Sequence, residues 1–480
     1  MPVGPEYAAA PVHATLPDSL YAPVLPARFP EHRLRYFNAE AASTVGLDTL
    51  SESEVQSHFA GFAPLPDNLP QPLALAYHGH QFQMYNPDLG DGRGFLYAQV
   101  RESHTGRLLD LGTKGSGRTP WSRGGDGRLT LKGGVRELLA SALLDARGVD
   151  TSRTFCIVET GEALVRNDEP SPTRSCVLTR LSHSHVRIGT FQRVAFLDDR
   201  PALAALVDHV AEHLLPEAQR AHLPDRAVAL VEAACTRVAR VGAQWLAAGF
   251  VHGVLNSDNI NITGESFDYG PWRFLPTLDP GFTAAYFDSG GLYAFGRQPD
   301  ALLWNLTRLA ECMLPLATRE RLERALEAFE PALHHHFVER VLARLGVTGG
   351  GADDEALAVA LWRCLRESRL PFERVFHDWH GGPAALERAL DGPLGREYRS
   401  AQFQPLRDLF ERFEPTSAAA QAQHALAHAA PPTLLIDDVE SLWTSIAEGD
   451  DWTGLEQTLE AIERYRDIVT GHDTELHLLT

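Results

Sequence analysis

The sequence predicts an α+β fold in two lobes, a small β-rich one followed by a larger, mainly helical one. Two patterns carry the prediction. Between residues 77 and 192, short apolar runs such as Phe95–Val100, Leu108–Thr113, Phe155–Glu159 and Cys176–Leu181 alternate with glycine-rich turns, as strands do. Beyond about residue 200 the apolar positions recur at helical spacing instead.

Taken in order, residues 1–75 are rich in Pro and Ala and read as an N-terminal extension that wraps the core rather than forming it. Residues 76–195 are the small lobe. One helix interrupts its strands from about residue 129 to 147. Val135, Leu138, Leu139, Ala142 and Leu143 share one face of it, and Gly148 stands where a C-cap belongs. Residues 196–330 are the main part of the helical lobe. Leu203, Leu206, Val207, Val210 and Leu214 mark one helix; Val231, Ala234, Cys235, Val238, Val241 and Trp245 mark a longer one. The longer helix ends near Gly249 and runs into a stretch, 251–270, dense in Asn, Asp and Gly. Residues 331–480 read as a divergent helical region with Gly- and Pro-rich joints. A β-rich lobe with one key helix ahead of a helical lobe is the architecture of a protein-kinase-like two-lobed fold.

Composition narrows the function. The chain has 480 residues, 63 acidic against 43 basic, for a formal charge of −20. That balance argues against a nucleic-acid-binding face, which needs concentrated positive charge. No run of about 18 apolar residues is present, so no membrane span is expected. Five dispersed cysteines and an N-terminus without a signal or transit pattern point to a reducing, cytoplasmic location. The only lysines are Lys114 and Lys132; every other basic residue is arginine. A chain that has replaced almost every ammonium draws attention to those it keeps.

Several segments could hold phosphate. Gly90-Asp91-Gly92-Arg93 and Gly125-Asp126-Gly127-Arg128 repeat one pattern, in which glycine lets backbone N–H groups approach an anion and arginine adds a fork. Between them Lys114 ends a strand, but the Gly-Lys-Ser/Thr order of a Walker A loop is missing. Glu137, on the interrupting helix, is the expected partner of Lys114, as in kinase-like lobes. Lys132 on the same helix reads as a surface residue. Arg180 and Arg187 either grip a terminal phosphate or pair with acidic neighbours. The most specific segment runs from His252 through Asp258 and Asn259 to Asp268-Tyr269-Gly270. It follows a kinase-like catalytic loop and metal motif, except that Val254 occupies the position of the usual catalytic Asp. Valine accepts no proton, which leaves Asp258 as the candidate base and Asn259 with Asp268 as oxygen ligands for a hard cation. The histidines His334 to His336, His377 and His380 read as solvated or hydrogen-bonded, and Glu448, Asp450 and Asp451 as a solvated charge run.

These segments, with Tyr77-His78-Gly79-His80-Gln81-Phe82, Thr119-Pro120-Trp121-Ser122-Arg123-Gly124 and Ser184-His185-Val186-Arg187, resemble the selenoprotein O family, in its bacterial branch without selenocysteine. The resemblance is close from about residue 75 to 320. It implies a kinase-like protein adenylyltransferase that binds ATP in a flipped orientation and transfers AMP to Ser, Thr or Tyr hydroxyls of proteins with release of pyrophosphate. Carried over by residue, it implies ATP contacts from Gly90, Gly92, Arg93, Lys114, Asp126, Gly127, Arg180, Arg187 and Asp268. It further implies Asp258 as proton acceptor and Mg²⁺ on Asn259 and Asp268, with Mn²⁺ as an alternative cation. The expected partners are protein substrates, not nucleic acid or membrane, and the expected state is a monomer. Three alternatives remain: a divergent kinase that uses Asp258 to transfer the γ-phosphate, UMP transfer from UTP, and a catalytically dead nucleotide-binding scaffold, against which the intact Asn259 and Asp268 pair argues. The chain departs from the family at its end, Glu475-Leu476-His477-Leu478-Leu479-Thr480, which lacks the C-terminal Cys motif of many members. The stretch from Pro431 to Val439 also lacks the Asn-Pro and Arg-Asn features expected there.

Overall fold

The computed structural model describes residues 3–167 and 169–471, so the closing stretch from Glu475 lies outside the described residues. The chain is mixed α+β, with a sheet-rich N-terminal part and a helical C-terminal part. Its strands are β1 (Tyr21–Pro23), β2 (Arg33–Phe37), β3 (Leu73–Leu75), β4 (Gly79–Gln81), β5 (Met84–Asn86), β6 (Gly94–Arg101), β7 (Leu108–Lys114), β8 (Leu129–Thr130), β9 (Arg153–Leu164), β10 (Thr173–Ser182), β11 (Phe250–Val251) and β12 (Arg273–Phe274). The main sheet runs β1-β3-β6-β7-β10-β9-β2, with β8 paired to β10, and its strand pairs are antiparallel. Lys114, at the end of β7, pairs with Gly94 on one side and Leu178 on the other, which fixes it at the sheet's centre. β4 and β5 form a separate hairpin.

Residues 1–75, expected as a wrapping extension, supply both edges of this sheet through β1 and β2. They also supply the helices α1 (Ala39–Ser43) and α2 (Glu52–Phe59), which cover one sheet face. There Val55 and Phe59 pack with Tyr97, Phe155 and Val177. The other face receives α3 (Leu131–Ala146), whose Val135, Leu138 and Leu139 meet Ile157, Cys176 and Leu178. Neighbours Cys176 and Val177 thus serve opposite faces, as the period of two in a strand requires. Thr130 caps α3 by accepting from Gly133 N–H (3.1 Å), and Gly148 leaves it with a φ of 69°.

The helical part begins with α4 (Ile188–Phe196), α5 (Arg200–His213) and the long α6 (Leu223–Ala248), followed by α7 (Gln298–Cys312), α8 (Arg319–Leu326) and α9 (Phe329–Leu345). A buried cluster closes the C-terminal end of α6. Glu373 pairs with Arg147 (3.0 Å) and Arg344 (2.5 Å), while the two arginines also donate to Ala248 O (2.8 Å) and Ala247 O (2.6 Å). Those carbonyls carry the negative end of the helix dipole. Among the described residues no helix is long and apolar enough to cross a membrane. All five cysteines are buried and unpaired.

Candidate active site

A cleft of about 800 Å³ lies between the main sheet, its glycine-rich turns and the loop after α6. Backbone pairing sets the loop's position. Ile188 N–H donates to Ile260 O (3.0 Å) and Ile262 N–H to Val186 O (2.9 Å), stitching it to the end of β10. Thr151 and Ser266 form a further bridge. Asp258 and Asp268, far from Lys114 in sequence, are thereby brought to the strand that carries it.

Gly90, Gly92, Arg93, Asp126 and Gly127 line the cleft, as do Lys114, Arg180, Arg187, Asp258 and Asp268. Arg93 is exposed, whereas Lys114, Arg180 and Arg187 are buried at the cleft's inner end. Lys114 Nζ contacts Glu137 Oε1 directly and reaches Asp268 Oδ1 at 2.8 Å. Arg180 approaches Asp268 Oδ1 (3.5 Å) and Glu137 Oε2 (3.9 Å), and Arg187 approaches Asp268 Oδ2 (3.5 Å). The two arginines thus pair with acidic neighbours and also line the cleft. Burial alone would raise the Asp268 carboxyl, yet Lys114, Arg180 and Arg187 hold it well below the usual carboxylate range. It stays charged. Asp126 is held by Arg166 (2.8 Å) and the Arg128 N–H (2.9 Å), at the exposed side of the cleft.

Asp258 differs. It sits in a single helical turn, Ser257–Asn259, with its Oδ1 buried and without a hydrogen-bond partner. Burial pushes its carboxyl up to about 6, against the opposing pull of Arg187. A carboxylate with an unoccupied oxygen and a pKa near neutrality suits a general base. Arg187 also donates to the Asp258 carbonyl (2.8 Å), so one side chain positions the loop and faces the cleft. Asn259 donates Nδ2 to Val254 O (3.1 Å), which leaves Oδ1 as an oxygen donor beside Asp258. His252 Nε2 meets Phe267 O (3.0 Å) and ties the two ends of the loop together.

Sequence reading passed over several residues of the site. Asp91, inside the first Gly-Asp-Gly-Arg turn, accepts from Leu75 N–H (3.0 Å) and pairs with Arg187 (3.4 Å). Tyr77 and Phe267 flank the Arg187 guanidinium at 4.5 and 4.9 Å, favourable for a cation over an aromatic face. Both lie inside segments singled out from the sequence, but their place against Arg187 leaves no local pattern. Arg128 and Arg166 also line the cleft.

Elsewhere the outcomes are mixed. Lys132, read as a surface residue, is half-buried and pairs with Glu440 (2.7 Å). Asp450, read as part of a solvated run, accepts from Arg35 (3.0 Å) and Arg174 (2.7 Å) across the edge of the sheet. The sequence could not show this, because pairing across folded elements leaves no local pattern. His377 is hydrogen-bonded to the Tyr465 hydroxyl (3.1 Å) and His380 to Arg344 O (2.9 Å). His335, His336 and Glu339 stand together on α9, with Glu339 bonded to His336 (2.9 Å).

The comparisons with known proteins bear on the same chemistry. A family model described as Protein adenylyltransferase SelO matches residues 6–463. A Protein nucleotidyltransferase YdiU of Synechocystis is 41% identical over 476 residues, covering 94% of this chain and 97% of its own. A protein of the same name from Gloeobacter violaceus is 42% identical over 462 residues, covering 92% of each. One from Rhodopseudomonas palustris is 40% identical over 372 residues, covering 76% of this chain and 74% of its own.

Proposed function

The chain belongs to the SelO family of protein adenylyltransferases, and from that premise we propose that it transfers AMP from ATP to Ser, Thr or Tyr hydroxyls of proteins. It is an enzyme, a protein nucleotidyltransferase. The observation that carries the finer reading is Asp258, a buried carboxylate with an unpartnered oxygen in the same cleft as Lys114, Arg180 and Arg187. In this reading the acceptor hydroxyl oxygen bonds to the α-phosphorus of ATP. The bond from that phosphorus to the bridging oxygen breaks, pyrophosphate leaves, and the hydroxyl proton passes to Asp258. Lys114, Arg180 and Arg187 stabilise negative charge on the phosphates through preformed, buried donors. Gly90, Gly92, Arg93, Asp126 and Gly127 shape the outer part of the nucleotide seat.

Asn259 and Asp268 would hold Mg²⁺, or Mn²⁺ in its place. An amide oxygen and a carboxylate kept ionised by its neighbours are the hard donors such a cation takes. Bound there, the cation would neutralise phosphate charge. The kinase-like assignment of the two lobes is supported by the Lys114–Glu137 pair between strand and helix, and by the order His252, Asn259, Asp268 along the loop. A monomer acting on protein substrates fits a cleft built wholly within one chain, and five unpaired, buried thiols fit a cytoplasmic setting.

ATP labelled separately on the α- and γ-phosphates tests the reading. Incorporation of α-label into protein by the wild type, and its loss in Asp268→Ala, is the expected result. Incorporation of γ-label would replace adenylylation by phosphorylation, and preferred transfer from α-labelled UTP would replace it by uridylylation.

A further inference from the structure

Asp258 stands between two chemically different neighbourhoods. One is the cationic inner end of the cleft. The other is the β4–β5 hairpin, whose Gly79 lies so close that a Cβ there would stand 2.6 Å from Asp258 Oδ1. The hairpin turns on Phe82 and Gln83, which take φ values of 49° and 63°. Two consecutive left-handed residues make the tight turn normally given to Asn-Gly, and they are unfavourable for side chains with a Cβ. Strain of this kind at a reactive site points to a role for the side chains it presents.

Specific contacts hold the turn. Phe82 N–H donates to Asn256 Oδ1 (3.0 Å), and the Tyr293 hydroxyl donates to the same oxygen (2.8 Å). The Phe82 ring packs against Tyr293 (5.0 Å) and Phe287 (5.8 Å). Asn256 precedes Asp258 by two residues, at most about 7 Å of chain. Outward from this anchor three large apolar side chains are exposed. Tyr286 is 91% exposed, Phe287 49%, and Met84, on the same hairpin, 77%. The rings of Tyr286 and Phe287 are 5.1 Å apart. Tyr286 and Phe287 stand together, with Phe287 against the Phe82 ring of the hairpin that carries Met84, and exposed apolar side chains so placed mark a site for a partner. Neither 79–86 nor 279–296 contains an Arg or Lys, so this side does not suit phosphate.

We propose that Met84, Tyr286 and Phe287 seat the acceptor protein, taking an extended segment with an apolar side chain beside the residue whose hydroxyl meets Asp258. The proposal rests on the protein adenylyltransferase reading and adds a sequence preference to it. The nucleotide enters from the cationic side of Asp258, and the acceptor from the aromatic side.

The test uses the full-length chain, α-labelled ATP with Mg²⁺, and synthetic peptides with a central Ser, Thr or Tyr flanked by Leu, Phe or Met, against the same peptides flanked by Gly or Asp. Wild type should label the apolar set about tenfold better, a factor within reach of one hydrophobic contact. Tyr286→Ser/Phe287→Ser and, separately, Met84→Ser should lose the preference through a higher acceptor KM. Their affinity for a fluorescent ATP analogue should match wild type, which also reports intact folding. Equal labelling of both sets by wild type, or an unchanged preference in the variants, overturns the proposal. So does a wild type that adenylylates proteins but no peptide. Transfer of γ-label instead would mark failure of the underlying reading.

Discussion

Among the described residues, two buried ionic clusters are built for different ends. At the end of α6, Glu373 is enclosed by Arg147 and Arg344, which also donate to backbone carbonyls and lie over Phe274 and Phe376 at 4.5 and 4.1 Å. Every contact there faces protein. In the cleft, Lys114, Arg180 and Arg187 are buried to a similar degree, yet their carboxylate partners Asp268 and Asp91 line open space. Burial of charge alone therefore does not mark a reactive site. What separates the two is access for a further anion.

The largest expected effect concerns the closed cluster. Glu373→Ala strands two buried guanidinium groups and should lower stability by about 3–5 kcal/mol, read by urea unfolding. Glu137→Ala should cost less than half of that, because Lys114 keeps Asp268 and can reach water, but it should slow AMP transfer. Equal stability losses in the two variants would erase the distinction. Next, Lys114→Arg should lower the transfer rate by about 10²-fold with a near-normal melting temperature, since a planar fork does not replace a compact ammonium aimed at phosphate. Full activity in that variant would remove Lys114 from the site. A smaller effect follows from pH. A base must be ionised to accept a proton, and burial holds the Asp258 carboxyl up at about 6. The rate constant should thus fall roughly tenfold per pH unit below about 6 and level off above it. A flat profile from pH 5 to 8 would sink that role. Finally, Lys132→Ala should alter stability by less than about 1 kcal/mol and leave the rate unchanged, as expected for a partly exposed pair.

What could be read in advance was what repeats locally. The strands Gly94–Arg101 and Leu108–Lys114 extend the expected runs by a residue or so, because alternating burial is written in the chain itself. The Lys114–Glu137 contact was legible because Lys114 is one of only two lysines and a kinase-like lobe pairs its strand lysine with a helix carboxylate. The edge strands Tyr21–Pro23 and Arg33–Phe37 were not. They are short and at most half-buried, so no run of buried positions marks them, and they exist because a neighbouring strand offers hydrogen bonds to them. Glu373 was equally silent, since nothing near it in sequence announces two arginines from other helices. Asp91 lay inside a quoted motif but read as part of a glycine turn, when its work is to hold Arg187.

The pairing of α3 with the end of the chain has a mechanical side. Lys132 and Arg136 reach Glu440 on helix Ile436–Gly449 (2.7 and 3.8 Å), and Arg466 on helix Thr453–Thr470 reaches Asp145 (3.5 Å). Glu137 lies between these attachment points, so the lever that sets Lys114 is splinted along its length by the last two helices. The last two helices thus brace α3 from behind while, among the described residues, contributing no lining residue to the cleft.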